Sequence, residues 1–169
     1  MRLRFAATII GDVRPREKRH RLEPEAYKGN ATVSFTACIK DHRRPFVCHK
    51  RTAQHVEFLA KAVATENCGV LIYCFMPDHL HAIITGRTAE SDVKKAFERF
   101  KQVSAFNLRK EGLAWQKDFH DRVVRKSEDL DAIASYVSEN PIRAGLADSP
   151  FEYHGIGSIG YDLKEVLIG

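Results

Sequence analysis

The segment from Gly69 to Thr85, GVLIYCFMPDHLHAIIT, limits the possible folds of this chain more than any other. Val70 to Met76 is apolar at every position, which suits a strand buried on both faces rather than one with a wet side. Pro77-Asp78 is a turn signal, and His79 to Thr85 fits a partner strand folding back on the first. A hairpin of this kind belongs at the centre of a sheet. The remaining elements must then cover it.

Those elements can be read on either side of the hairpin. Ala31 to Lys40 (ATVSFTACIK) is rich in β-branched and aromatic residues and predicts a first strand, broken before Pro45. From Arg51 to about Glu66 the residues Val56, Leu59, Ala60 and Val63 recur at helical spacing, and Asn67 and Gly69 end that helix. Ser91 or Asp92 caps a second helix. It turns Val93, Ala96, Phe97, Phe100, Val103 and Ser104 inward and Lys94, Lys95, Arg99 and Lys101 outward. Trp115 to Arg125 (WQKDFHDRVVR) reads as a loop feeding a fourth strand. Ser127, with Glu128, Asp129 and Asp131, opens a third helix that ends at Asn140-Pro141. This order predicts an α+β fold, a ferredoxin-like split βαβ antiparallel sheet with helices on one face and an extra C-terminal helix. The Gly-rich stretch from Gly155 to Gly169 is not placed by any periodicity.

At 169 residues the chain suits one domain. We divide it into an N-terminal arm (1–27), a folded body (28–150) and a tail of unknown role (151–169). The formal charge is +5, and it is unevenly distributed. Residues 1–30 carry eight Lys or Arg against four Asp or Glu, a surplus of +4 in that stretch alone. A basic arm suits contact with nucleic-acid phosphate, and equally a soluble tail. No apolar run is long enough to span a bilayer, and the first residues lack a signal-peptide core, so a cytosolic protein is expected, associated with the nucleoid in use. Cys38, Cys48, Cys68 and Cys74 lack metal-binding spacing and are expected to be buried, reduced thiols.

Alternation along a strand points His79 and His81 to the same side, with Leu80, Ala82 and Ile84 on the other. Two imidazoles side by side form a claw for a divalent metal, or simply a half-buried pair; a metal would need a third ligand. The last helix offers one. Leu130, Ile133, Ala134 and Val137 form its core stripe, and Tyr136 and Asn140 lie four apart beside it. Tyr136 also reads as an interfacial aromatic, and Asn140 as a helix cap before Pro141.

Three segments, in order, give these residues a shared meaning: YCFMPDHLHAII (Tyr73 to Ile84), WQKDFHDRVVR (Trp115 to Arg125) and YVSENPIRAGL (Tyr136 to Leu146). With them the chain resembles the REP-associated tyrosine transposases, within the IS200-like group of single-tyrosine HUH transposases. The resemblance implies that His79 and His81 are metal ligands, that Tyr136 is the nucleophile, and that Asn140 is the third protein ligand. It also implies a catalytic Mg²⁺ or Mn²⁺ and single-stranded DNA cut beside a hairpin that the protein recognises. The product would be a strand held on Tyr136 through a 5′-phosphate, with a free 3′-hydroxyl on the other side. Family members often follow the NPxRAGL segment with a tyrosine, a tryptophan and serines, whereas here Tyr153 precedes HGIGSIG.

Candidate DNA contacts are Arg43, Arg44, Lys50 and Arg51 after the first strand, Lys94, Lys95, Arg99 and Lys101 on the second helix, and Arg122 and Arg143 near the site. Trp115, Phe119 or His120 could stack a base, and His120 could equally be structural. Three rival readings stand beside strand transfer. They are a non-catalytic regulator that binds hairpin DNA, a phosphodiesterase using hydroxide, and a zinc-stabilised interaction module. Whether the chain acts as a monomer or a homodimer is open at this level.

Overall fold

The computed structural model describes residues 22–168, so most of the basic arm lies outside the described residues. Within them run β1 (Thr32–Cys38), α1 (His49–Thr65), β2 (Cys68–Met76), β3 (His79–Gly86), α2 (Val93–Arg109), β4 (His120–Val123), α3 (Ser127–Arg143), β5 (Ile156–Ile159) and α4 (Leu163–Ile168). The sheet order is β4-β1-β3-β2-β5, antiparallel throughout. Its first four strands have the split βαβ arrangement expected from the sequence.

β2 is buried along nearly its whole length because both of its faces are covered, which is why its sequence is continuously apolar. Tyr73 and Phe75 enter a core beneath α1 and α2 with Val33, Phe35, Leu59, Phe97 and Phe100, where Phe35 stacks on Phe97 at 4.4 Å. Ile72, Cys74 and Met76 face the other way and pack with Ile83 against Ala134 and Val137 of α3. Thus α1 and α2 lie on one face and the extra helix α3 on the other. β1 shows the alternation of a strand covered on one side only, with Val33, Phe35 and Ala37 buried and Ser34, Thr36 and Cys38 half-exposed.

Four details differ from expectation. Val103 is 45% exposed, because the core stripe of α2 passes through Phe100, Ser104 and Leu108 and leaves position 103 off to one side. All four cysteines are free, but Cys48 is exposed just before α1 and Cys38 is only half-buried on the open side of β1. α3 runs through Pro141 to Arg143. Proline there removes a single donor near the helix end, and the true stop is Gly145, at φ +69°, with Gly145 N–H donating to Ile142 O (2.9 Å) and Leu146 N–H to Pro141 O (2.8 Å). Finally, the unplaced tail completes the sheet. β5 pairs with β2, Tyr153 Oη donates to Phe75 O at 2.9 Å, and Gly157 lies so close to Tyr73 that a Cβ there would meet its hydroxyl at 2.4 Å.

At the other end, Tyr27 is a core residue that hydrogen-bonds Asp121, so packing begins before residue 28. Among the described residues no helix is long and apolar enough to cross a membrane.

Candidate active site

β3 carries two imidazoles on the face it shares with α3. The rings of His79 and His81 stand 4.9 Å apart, centre to centre, with planes at 89°. Each is held at Nδ1. Asp78 Oδ1 lies 2.7 Å from that of His79, and Thr36 Oγ1, across the β1–β3 register, lies 2.9 Å from that of His81. A carboxylate only accepts, so Nδ1 of His79 carries a hydrogen and Nε2 is the ring atom left to ligate a metal. Among the described residues neither Nε2 has a hydrogen-bond partner. Burial above all, helped by His79 and Arg143, pushes His81 down to about 3, so its imidazole is neutral near pH 7.

α3 faces this pair because Ala134 and Val137 anchor it on β2. Tyr136, 42% exposed, brings its ring centre to 6.2 Å from that of His81. Asn140 follows one turn later, and Arg143 folds back over both. Arg143 lies 4.4 Å over the Tyr136 ring and donates to Tyr136 O (2.9 Å), Asn140 Oδ1 (3.0 Å) and Glu139 Oε2 (3.1 Å). Because the helix runs on to Gly145, Asn140 is not a terminal cap, and its side chain engages Arg143 instead.

The IS200-like transposase family model matches residues 28–140, a span that contains both histidines, Tyr136 and Asn140. The chain belongs to this transposase family. Among solved structures, a REP-associated tyrosine transposase bound to a REP hairpin is similar, with a TM-score of 0.69 and 17% identity over 83% of this chain and 81% of that one. At that identity the likeness speaks for the fold. No curated protein matches the sequence.

A divalent metal is implied by the family resemblance, and the donor atoms of this IS200-like chain fit one. Two imidazoles whose Nε2 atoms have no hydrogen-bond partner among the described residues stand side by side, each oriented from behind by Asp78 or Thr36, as metal-binding histidines commonly are. Among the described residues no group of three or more His, Cys, Asp or Glu side chains could hold a metal. A third protein ligand would therefore have to be an amide such as Asn140, whose buried Nδ2 has no hydrogen-bond partner.

The fold sorts the candidate DNA contacts into two groups. His120 and Arg122 lie in register with Thr36 and Ser34, so they share the open face of the sheet with His81, and both are exposed. Arg43 and Arg44 are exposed after two left-handed residues, Asp41 and His42. Arg44 lines a cleft of about 280 Å³ with Met76, Pro77, Asp78, Ala144 and Leu146. Lys50 is exposed, whereas Arg51 is tied to Glu111 and to Pro45 O.

Lys94, Lys95, Arg99 and Lys101 lie on α2, across the sheet from the histidines. Lys94 pairs with Glu98, Lys95 and Arg99 pair with Glu66, and Lys101 donates to Gln116 O. Trp115 corrects the expectation of a base-stacking platform. It is 7% exposed between Phe46 and Phe100, and its Nε1 donates to Ser104 Oγ at 2.8 Å. Phe119 is half-buried, edge-on to Phe35 and Phe97.

Sequence reasoning missed Asp78 and Thr36. Asp78 is detectable as a carboxylate beside the first histidine; Thr36 emerges only from the strand register.

Proposed function

We propose that this chain cleaves and rejoins single-stranded DNA beside a hairpin, using Tyr136 as the nucleophile and a divalent metal, Mg²⁺ or Mn²⁺, bound at His79, His81 and Asn140. The observation that carries this reading is the convergence of β3 and α3, which sets an exposed tyrosine beside a pair of imidazoles. Membership of a transposase family supports it, and the hairpin on the similar solved structure supports the choice of DNA.

When bound, the metal would polarise a non-bridging phosphate oxygen and offset charge built up in the transition state. The phenol oxygen of Tyr136 attacks phosphorus, the bond to the 3′-oxygen breaks, and that oxygen takes up a proton to leave as a 3′-hydroxyl. The 5′-phosphate stays on Tyr136, so the phosphodiester bond energy is kept for rejoining. The phenol must lose its proton as it attacks. His120, Arg122, Arg43 and Arg44 are proposed to contact the single strand near the site. We assign Lys94, Lys95, Arg99 and Lys101 to more distant phosphates of the hairpin.

The test is denaturing gel electrophoresis of the protein with a labelled hairpin-bearing single strand and Mg²⁺ or Mn²⁺. A covalent protein–DNA band in wild type, absent in Tyr136→Phe, is the expected result. Tight hairpin binding with no such band in wild type would instead favour a non-catalytic regulator.

A further inference from the structure

The Asn140 amide is engaged at one end only. Its oxygen accepts from Arg143 at 3.0 Å, while Nδ2, the buried end, has no partner among the described residues. A buried donor with nothing to donate to is a costly arrangement. It also has the wrong polarity for a cation, because the atom able to ligate one is turned to a guanidinium. Arg143 is held in that position from four sides, by the amide oxygen, Tyr136 O, Glu139 and the Tyr136 ring.

We propose that Arg143 competes with the divalent metal for the Asn140 oxygen, so that ligation by Asn140 and release of Arg143 are one event. The inference rests on the metal-site reading above and adds a residue to it. Released from the amide, the guanidinium keeps its planar fork, which matches two oxygens of a phosphodiester. Arg143 then serves as a positioning residue in two states. Without metal it holds Asn140 and lies across the tyrosine; with metal it is available to the DNA phosphate. Loading the metal and preparing the phosphate site are thereby coupled through one amide.

The experiment is a Mn²⁺ titration by isothermal calorimetry on four forms of the full chain: wild type, Arg143→Gln, Asn140→Leu and the double variant. Removing a positive charge tightens cation binding through the field alone, so the single variant does not decide the matter; the cycle does. Competition at the amide oxygen predicts that Arg143→Gln tightens Mn²⁺ about fivefold or more when Asn140 is present and much less when residue 140 is leucine. Equal gains in both backgrounds, or no gain in either, would overturn the proposal while leaving the metal site standing. If neither wild type nor Arg143→Gln bound Mn²⁺, or if His79→Ala bound it as well as wild type, the metal-site reading itself would fail and the proposal with it. Thermal melts of these four forms and of His79→Ala identify any variant that has not folded.

Discussion

Thr36 Oγ1 lies 2.9 Å from Nδ1 of His81, joining neighbouring strands at a point where the imidazole is half-buried and neutral. This bond sets which edge of the ring faces α3. Thr36→Val keeps the β-branched shape and removes the bond, leaving Nδ1 without its partner. We expect a stability loss of about 1 kcal/mol and a fall in Mn²⁺ affinity of about tenfold or more, the usual effect of losing an outer partner of a metal-bound histidine. Thermal melts and Mn²⁺ calorimetry read the two effects. Unchanged affinity would mean that Thr36 does not orient a ligand.

His81 also makes stability depend on pH. Its folded value, about 3, lies below the ordinary 6.5, so between these values the unfolded chain binds the proton that the folded chain refuses. His81 thus contributes its full stability above about pH 6.5, and that contribution falls as pH drops toward 3. The melting temperature measured from pH 7 to pH 4.5 should decline more steeply in wild type than in His81→Asn. His55, also pushed down by burial, adds to the decline in both proteins. Parallel curves would show that His81 is less buried than the geometry indicates.

How much of this was legible depended on whether neighbours in space were neighbours in sequence. The hairpin was legible because β2 is covered on both faces and its sequence says so residue by residue. The histidine pair was legible from strand alternation alone. Trp115 was misread because its stretch is short of local apolar partners; its burial comes from Phe46, Phe100 and Ser104, on separate segments of the chain. Pro141 suggests an end to α3 because proline usually stops a helix, yet the decisive signal is Gly145, four residues on, at φ +69°. β5 was missed because a four-residue edge strand containing glycine has little pattern of its own, and its partner β2 lies some 80 residues earlier.

That fifth strand gives its own prediction. Tyr73 occupies the space above Gly157, where an added Cβ would lie 2.4 Å from the hydroxyl and 2.7 Å from Cζ. Gly157→Val should push β5 away from β2 and destabilise the protein by about 1–3 kcal/mol, the usual cost of overpacking. Chemical denaturation measures it. Pairing Gly157→Val with Tyr73→Phe, which removes the nearest atom, should recover part of the loss. No recovery would place the strain elsewhere in the tail.

Sorting of the basic residues by the sheet leads to a final prediction about the path of the DNA. Arg122 is exposed on the face that carries His81, whereas Lys95 lies across the sheet and is paired with Glu66. If the single strand crosses the open face of β1 and β4, Arg122 neutralises one phosphate. Arg122→Ala should then weaken binding at every sequence and reduce the log–log salt slope by about 0.7, the single-strand value for one phosphate. Lys95→Ala should change neither the affinity nor the slope for a single strand lacking the hairpin, because it does not face that path. Affinities measured by fluorescence anisotropy over a range of salt, in the Tyr136→Phe background to prevent cleavage, make the comparison. A larger slope change from Lys95 than from Arg122 would move the strand to the α2 side and detach it from the histidines and tyrosine.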